Sequence, residues 1–263
     1  MRLATWNVNS IRARIDRVVA WLERSDIDVA ALQETKCRDD QFPYDAFKAA
    51  GYEVTHWGGS QWNGVAVASR VGLTDVQHGF PGMPVWGDPP VAEARALGAT
   101  CGGVRVWSLY VPNGRSLADP HLQYKLQWLD ALRLAGSGWL ATDPQAQVAL
   151  VGDWNIAPRD EDVWDMAVFA TSTHVSPPER AAFQALVEAG YADVVRPYTP
   201  GEFTYWDYTQ LRFPRREGMR IDFVLASPAL ANRVTGALID RQERKGKGAS
   251  DHAPVVVGLA DPA

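Results

Sequence analysis

Apolar residues recur along this chain at two spacings. "RLATWNV", from Arg2 to Val8, alternates at period two, as a half-buried strand does. Ile11, Ile15, Val18, Val19 and Leu22 then fall on one face of a helix, with Asn9 or Ser10 placed to cap it. Further strands are predicted at "IDVAAL", "YEVTHW", "GVAVASR", "EARALGAT", "VRVWSLYV", "QVALVG", "IDFVLA" and "VVVGL", each short and bounded by Gly, Pro, Asn or Asp. Helical spacing returns in "DPHLQYKLQWLDALRLA" and "PPERAAFQALVEAG", the second opening on two prolines suited to a first turn.

Between residues 51 and 111 strands follow one another without intervening helices, which predicts hairpins and therefore mixed sheets. The expected fold is a four-layer α/β sandwich, two packed mixed β-sheets flanked by helices. Residues 79–90 and 241–248 read as long loops inside a single domain spanning 1–263, and neither has the character of an interdomain linker. Helical spacing places Trp21 and Trp128 among the core tryptophans.

Composition narrows the classes. A 263-residue chain with 46% hydrophobic and 22% charged residues can bury a sizeable core. Its two cysteines, Cys37 and Cys101, supply neither a disulfide framework nor a repeated metal spacing, which suits a reducing cytoplasm. "MRLATWNVNS" lacks the charged and apolar regions of a signal peptide, and no apolar run approaches the roughly 20 residues of a membrane span, so a soluble cytoplasmic protein is expected. The formal net charge of −5 excludes a nonspecific polycation and leaves room for a local basic face.

Polar residues cluster where the predicted strands end: Asn7 and Asn9, Glu34, Tyr110 and Asn113, Asp153 and Asn155, Asp222, Asp251 and His252. A single Asp or Asn at a strand end is ordinarily a turn starter, and Asn9 can serve simply as a helix cap. Together they form an oxygen-rich, thiolate-free set of the kind that a hard dication such as Mg2+ or Mn2+ prefers. Asp222, between Ile221 and Phe223, is costly to bury without a partner.

"TWNVNSIRAR", "LQETK", "LYVPNG", "VGDWNIAP", "THVSPPERAAF", "RIDFVL" and "ASDHAPV" together resemble the exonuclease III family of apurinic/apyrimidinic endonucleases, within the endonuclease/exonuclease/phosphatase superfamily. The match runs from Arg2 to Leu259. The resemblance implies a divalent-metal-dependent DNA repair nuclease, cleaving 5′ to abasic sites with 3′ to 5′ exonuclease or end-trimming activity on duplex DNA. It implies Mg2+ or Mn2+ held among Asn7, Glu34, Asp153, Asn155, Asp251 and His252, with Glu34 the principal carboxylate. In that reading Asp153 orients or deprotonates the attacking water, Asn155 donates to phosphoryl oxygens, Tyr110 faces the phosphate, and Asp222 orients His252. The sequence leaves open whether Asp153 or His252 is the base.

The resemblance also implies double-stranded DNA with abasic sites or blocked 3′ ends as partner, and a monomer that is nucleoid-associated when acting. DNA contacts are expected from Arg95, Asn113, Arg115, Tyr205, Trp206, Arg212, Met219 and Ile221. Met219 departs from the pattern, standing where some members carry tryptophan. Arg12, Arg14, Arg95, Arg115, Lys125, Arg212, Arg215, Arg216, Arg220, Lys245 and Lys247 would form a basic stripe along the same loops. Two other classes fit less of this pattern. One is a phosphoesterase of lipid or inositol phosphates; the other is a noncatalytic DNA-binding relative, which usually lacks one of the acidic or imidazole groups kept here.

Overall fold

The computed structural model describes residues 1–262, with twelve strands among them. In chain order these are β1 (Arg2–Asn7), β2 (Val29–Gln33), β3 (Glu53–Trp57), β4 (Val65–Ser69), β5 (Thr74–His78), β6 (Ala96–Cys101), β7 (Val104–Tyr110), β8 (Val148–Asp153), β9 (Ala192–Asp193), β10 (Asp222–Ala226), β11 (Val234–Ile239) and β12 (Val255–Leu259). They form two six-stranded sheets, ordered β11-β12-β1-β2-β4-β3 and β5-β6-β7-β8-β10-β9. Each sheet is mixed: β1 with β2 and β7 with β8 are parallel pairs, and the other pairings are antiparallel.

The layering follows from residues that are apolar on both faces of the central strands. Leu3, Ala31 and Val67 of one sheet share a buried cluster with Ala99, Val106, Ala149 and Val224 of the other. On the outer face of the first sheet, Ala4, Trp6, Ala30 and Leu32 meet Val18, Trp21 and Leu22 of helix Ile15–Arg24. On the outer face of the second, Trp107, Leu150 and Phe223 meet helices Pro120–Thr142 and Pro177–Glu188. The result is the four-layer sandwich expected from the sequence, with Trp21 and Trp128 fully buried. No helix among the described residues is long and apolar enough to cross a membrane.

Several local expectations are corrected. Helix Ile15–Arg24 starts after Arg14, with no side-chain cap, so neither Asn9 nor Ser10 caps it. Both instead take positive φ, 42° and 88°, in the turn leaving β1. Residues 241–248 are not loop throughout, since Arg241–Arg244 forms a 3₁₀ turn capped by Asp240. β5 escapes a pattern search because "TDVQH" is an exposed edge strand whose side chains follow no buried-face alternation. β11 escapes because Gly236 sits at a register shift.

Candidate active site

The register of three strands places three side chains in one line. Parallel pairing of β7 and β8 sets Tyr110 opposite Asp153, and antiparallel pairing of β8 and β10 sets Asp153 opposite Asp222. Gly152 permits the close approach, because a Cβ there would collide with the carbonyl oxygen of Leu109, and its φ of 150° is one that side chains rarely adopt. The facing sheet contributes Asn7 at the end of β1 and Glu34 just after β2. His252 lies just ahead of β12, whose antiparallel pairing with β1 brings the two strand ends together.

Side-chain geometry knits these ends into one site. His252 Nδ1 is 2.8 Å from Asp222 Oδ2, and its Nε2 is 3.7 Å from Asp153 Oδ2. Asn7 Nδ2 donates both to Glu34 Oε1 at 2.7 Å and to Asp153 Oδ2 at 2.9 Å, bridging the two sheets. Lys36 Nζ pairs with Glu34 Oε2 at 2.7 Å and donates to Asn9 Oδ1, while Asn9 Nδ2 donates to Asp251 Oδ1 at 3.1 Å. Asp153 Oδ1 accepts the backbone N–H of Asn155 at 2.9 Å, so the residue after next fixes the carboxylate's rotation.

Burial and crowded charge divide the titrations. Burial pushes the Asp153 carboxyl up, Asp222 and Glu34 add to this, and His252 only partly opposes it, leaving a pKa of about 7. Burial alone would lower the His252 pKa, but the carboxylates of Asp222 and Asp153 carry it up to about 10. Burial likewise raises the Glu34 pKa; Lys36 and the Asn7 hydrogen bond outweigh it and hold that carboxyl below its ordinary value. The phenol of Tyr110 is pushed well above its usual range, first by burial and then by the charge of Glu34, so it keeps its proton at neutral pH.

Glu34, Asp153 and His252 each offer one ligand atom, all within 4.8 Å of one another. Two oxygens and an imidazole nitrogen, without a thiolate, fit a hard or borderline divalent cation, so this is a possible acidic metal site. The side chains open into a cavity of about 570 Å³, also lined by Trp164, Phe169, Tyr205 and Met219.

The sequence profile described as "Endonuclease/Exonuclease/phosphatase family" matches residues 4–252, spanning every side chain of this cluster. The chain belongs to the endonuclease/exonuclease/phosphatase family. Among its relatives, an exodeoxyribonuclease of Bacillus subtilis (strain 168) is 30% identical over 97% of this chain and 98% of its own length. The DNA repair nuclease APEX1 of Danio rerio is 29% identical over 99% of this chain and 82% of its own. In three dimensions the chain is similar to a Neisseria 3′ phosphatase, NExo, solved with a product DNA hairpin, at TM-score 0.92 and 35% identity over 99% of both chains. An AP endonuclease from Archaeoglobus fulgidus superposes at TM-score 0.91 and 34% identity, covering 98% of this chain and 99% of its own.

Within this family frame, Asn7, Glu34, Tyr110, Asp153, Asn155, Asp222, Asp251 and His252 are all brought to one end of the sandwich. Asn113, Arg115, Tyr205, Arg212, Met219 and Ile221 line the cavity. Trp206 does not: it is buried in the core between the sheets, with Phe213 edge-on against it. Three cations leave the expected basic stripe because they are buried and already bonded. Arg95 pairs with Glu93 at 2.6 Å and lies over the Tyr110 ring, Lys125 pairs with Glu179, and Arg220 donates to Thr199. Arg12, Arg115, Arg215, Arg216, Lys245 and Lys247 stay exposed.

The sequence reading missed His174. Its Nε2 lies 3.2 Å from both Asn155 Oδ1 and Asn113 Nδ2, inside the cavity. Burial and the charge of Lys125 lower its pKa to about 4, so it is neutral at physiological pH. The signal was there, since His174 falls within the "THVSPPER" stretch, but no periodicity points a loop residue at a site. Lys36, the partner of Glu34, was passed over for the same reason.

Proposed function

We propose that the chain is a divalent-metal-dependent DNA repair nuclease that hydrolyses the phosphodiester 5′ to an abasic site and trims 3′ ends of duplex DNA. The observation that carries this is the line Tyr110, Asp153, Asp222 across three strands, closed by His252 and faced by Asn7 and Glu34 from the other sheet. Mg2+ or Mn2+ is the expected cofactor; Glu34 would hold it, with Asn7, Asp153, Asn155 and Asp251 around it, whereas His252, also expected among the ligands, carries a proton on each ring nitrogen and would serve the phosphate instead. When bound, the cation supplies charge neutralisation for phosphate oxygens and for the departing 3′ oxygen.

The two perturbed pKa values support separate roles. A carboxyl with a pKa near 7 is suited to take a proton from water at neutral pH, and the Asn155 N–H holds Asp153 in position to do so. An imidazolium persisting to a pH of about 10, steadied by Asp222, donates to a phosphoryl oxygen as negative charge grows there. Tyr110, still protonated, donates from the neighbouring strand. The water oxygen bonds to phosphorus as its proton passes to Asp153, the bond from phosphorus to the 3′ oxygen breaks, and the departing 3′ oxygen takes up a proton from solvent. A 3′ hydroxyl and a 5′ deoxyribose phosphate result.

Exposed Arg115 on the cavity, with Arg215 and Arg216 in the turn that follows its lining residue Arg212, suit the phosphates of a duplex, and Tyr205 and Met219 suit the face of an extruded sugar. A single domain over residues 1–263, acting as a cytoplasmic monomer at the nucleoid, belongs to the same proposal.

A second reading weights the chemistry towards 3′ termini. It is favoured by the likeness to two Neisseria structures, described as a 3′ phosphatase and a 3′-5′ exonuclease, at 35% and 36% identity. One experiment tests both: rates with Mg2+, with Mn2+ and with EDTA on an abasic duplex, an intact duplex and a duplex ending in a 3′ phosphate. Metal-dependent incision of the abasic strand supports the first reading. Cleavage confined to 3′ ends supports the second, and inertness towards all three DNAs removes both.

A further inference from the structure

Lys125 and Glu179 form an ion pair that the proposed chemistry does not use. Both side chains are completely buried, with Nζ 2.5 Å from Oε1. Lys125 projects from helix Pro120–Thr142 and Glu179 from the first turn of helix Pro177–Glu188. Neither hydrogen-bonds to the strand-end carboxylates.

Apart from the bond to Ser176, every hydrogen bond this pair makes to other residues leads to the amide side of the cavity. The three protons of the Lys125 ammonium go to Glu179 Oε1, to the carbonyl of Asn155 at 2.6 Å and to the carbonyl of Asn113 at 3.2 Å. Glu179 Oε1 also accepts the backbone N–H of His174 at 2.9 Å, and Oε2 accepts the Ser176 hydroxyl at 2.5 Å. Asn113, Asn155 and His174 are the three residues whose side chains meet at 3.2 Å in the cavity. One ion pair therefore holds the main chain of all three.

The arrangement has a cost that stability alone does not explain. Asn155 has a φ of 49°, in the left-handed region that Asn enters more readily than most residues with a side chain, and the turn is held there by its backbone bonds. A buried ion pair is weak evidence for stability, because well-packed apolar residues of similar volume often serve as well or better. What apolar residues cannot supply is three donors and a charged acceptor aimed at loop backbone.

We infer that Lys125 and Glu179 are positioning residues for phosphodiester hydrolysis, fixing Asn113, Asn155 and His174 against the scissile phosphate from behind. The inference rests on the nuclease reading above. The loop after β7, the turn after β8 and the segment before helix Pro177–Glu188 are separate pieces of chain, and this pair is where their backbones are tied together.

The test is the double variant Lys125→Met/Glu179→Leu, which keeps the volume apolar, beside Glu179→Gln, which keeps part of the hydrogen bonding. On whichever DNA the wild type cleaves, the folded double variant, measured well below its own lowered Tm, should lose about 10- to 100-fold in kcat with KM changed little, because the Asn113 and Asn155 carbonyls and the His174 N–H lose their partners. Glu179→Gln should fall between it and the wild type. A folded double variant of wild-type kcat overturns the inference. Should the double variant not fold, the side-chain amide NMR signals of Asn113 and Asn155 in Glu179→Gln decide: displaced signals support positioning, and unmoved ones refute it. Because that readout needs no substrate, a wild type inert on DNA would sink the nuclease reading while this one is still tested.

Discussion

His252 and Asp222, 30 residues apart in sequence, are joined at 2.8 Å between Nδ1 and Oδ2, leaving Nε2 of the imidazole directed at Asp153. The bond fixes which ring nitrogen faces Asp153, and with the carboxylates around it keeps the ring charged. Asp222→Asn removes the larger of the two carboxylate effects on His252. The alkaline limb of the pH–rate profile should move down by about 1–3 pH units, and kcat at pH 8 should fall by about 10²-fold or more. A folded-state pKa raised to about 10 contributes stability that is complete below about pH 6.5 and is lost as pH rises through 10. The variant's stability deficit in urea unfolding should therefore be larger at pH 6 than at pH 10.

Glu34 and Asp153 bear on chemistry and on metal-free stability in opposite senses. Glu34→Gln and Asp153→Asn should each lower DNA cleavage by about 10³-fold. Glu34→Gln should also weaken Mn2+ binding in calorimetry. Without metal, Asp153→Asn removes a carboxylate crowded by Asp222 and Glu34, so its Tm should equal or exceed that of the wild type.

Three histidines are held neutral by burial: His56, His121 and His174 each have a pKa lowered to about 4. On unfolding each takes up a proton below about pH 6.5, so each contribution is lost as pH falls from there towards 4. Asp153, with its pKa raised to about 7, works the other way over the same window. The histidines outnumber it, and stability should fall between pH 6 and pH 4.5 by on the order of 1–3 kcal/mol per pH unit. Urea midpoints at pH 6, 5.2 and 4.5 would show the slope, and His121→Asn should make it shallower.

Arg115 is exposed at the cavity rim, with only a 3.9 Å contact to Asp119. DNA affinity should fall steeply with salt, and Arg115→Ala should reduce the logarithmic salt slope by about 1 while weakening binding to all sequences alike. Fluorescence anisotropy across a salt series measures both. A slope unchanged by the substitution would remove Arg115 from the phosphate contacts.

Gly152 should not tolerate a methyl group. Gly152→Ala drives a Cβ into the Leu109 carbonyl, and separating β7 from β8 also moves Asp153 away from Tyr110. Destabilisation of about 2 kcal/mol or more is expected in urea unfolding, with activity falling further than the folded fraction does.

Much of this molecule is written locally. Period-two and continuous apolar runs mark the central strands, because a sheet covered on both faces must be apolar throughout; β1, β4, β7, β10 and β12 lie within stretches that the pattern identifies, and β2 and β8 run one residue past theirs, to Gln33 and Asp153. The polar groups at their ends were legible as well, since Asp and Asn just beyond a buried run stand out against it. Edge strands β5 and β11 were not, because exposed positions are free of the constraint that creates a pattern.

The charges were legible as residue types but not as locations. Arg95, Lys125 and Arg220 look in the sequence like members of a basic stripe, yet tertiary packing buries each: Arg95 on its near neighbour Glu93, Lys125 and Arg220 on Glu179 and Thr199, 54 and 21 residues away. Trp206 likewise goes to the core while its neighbour Tyr205 faces the cavity, 4.9 Å from the His252 ring. The sequence by itself determined which segments are strands and what chemistry sits at their ends. Only the folded chain decided which ends meet, because register between strands and pairing between distant loops are long-range contacts that no local period encodes.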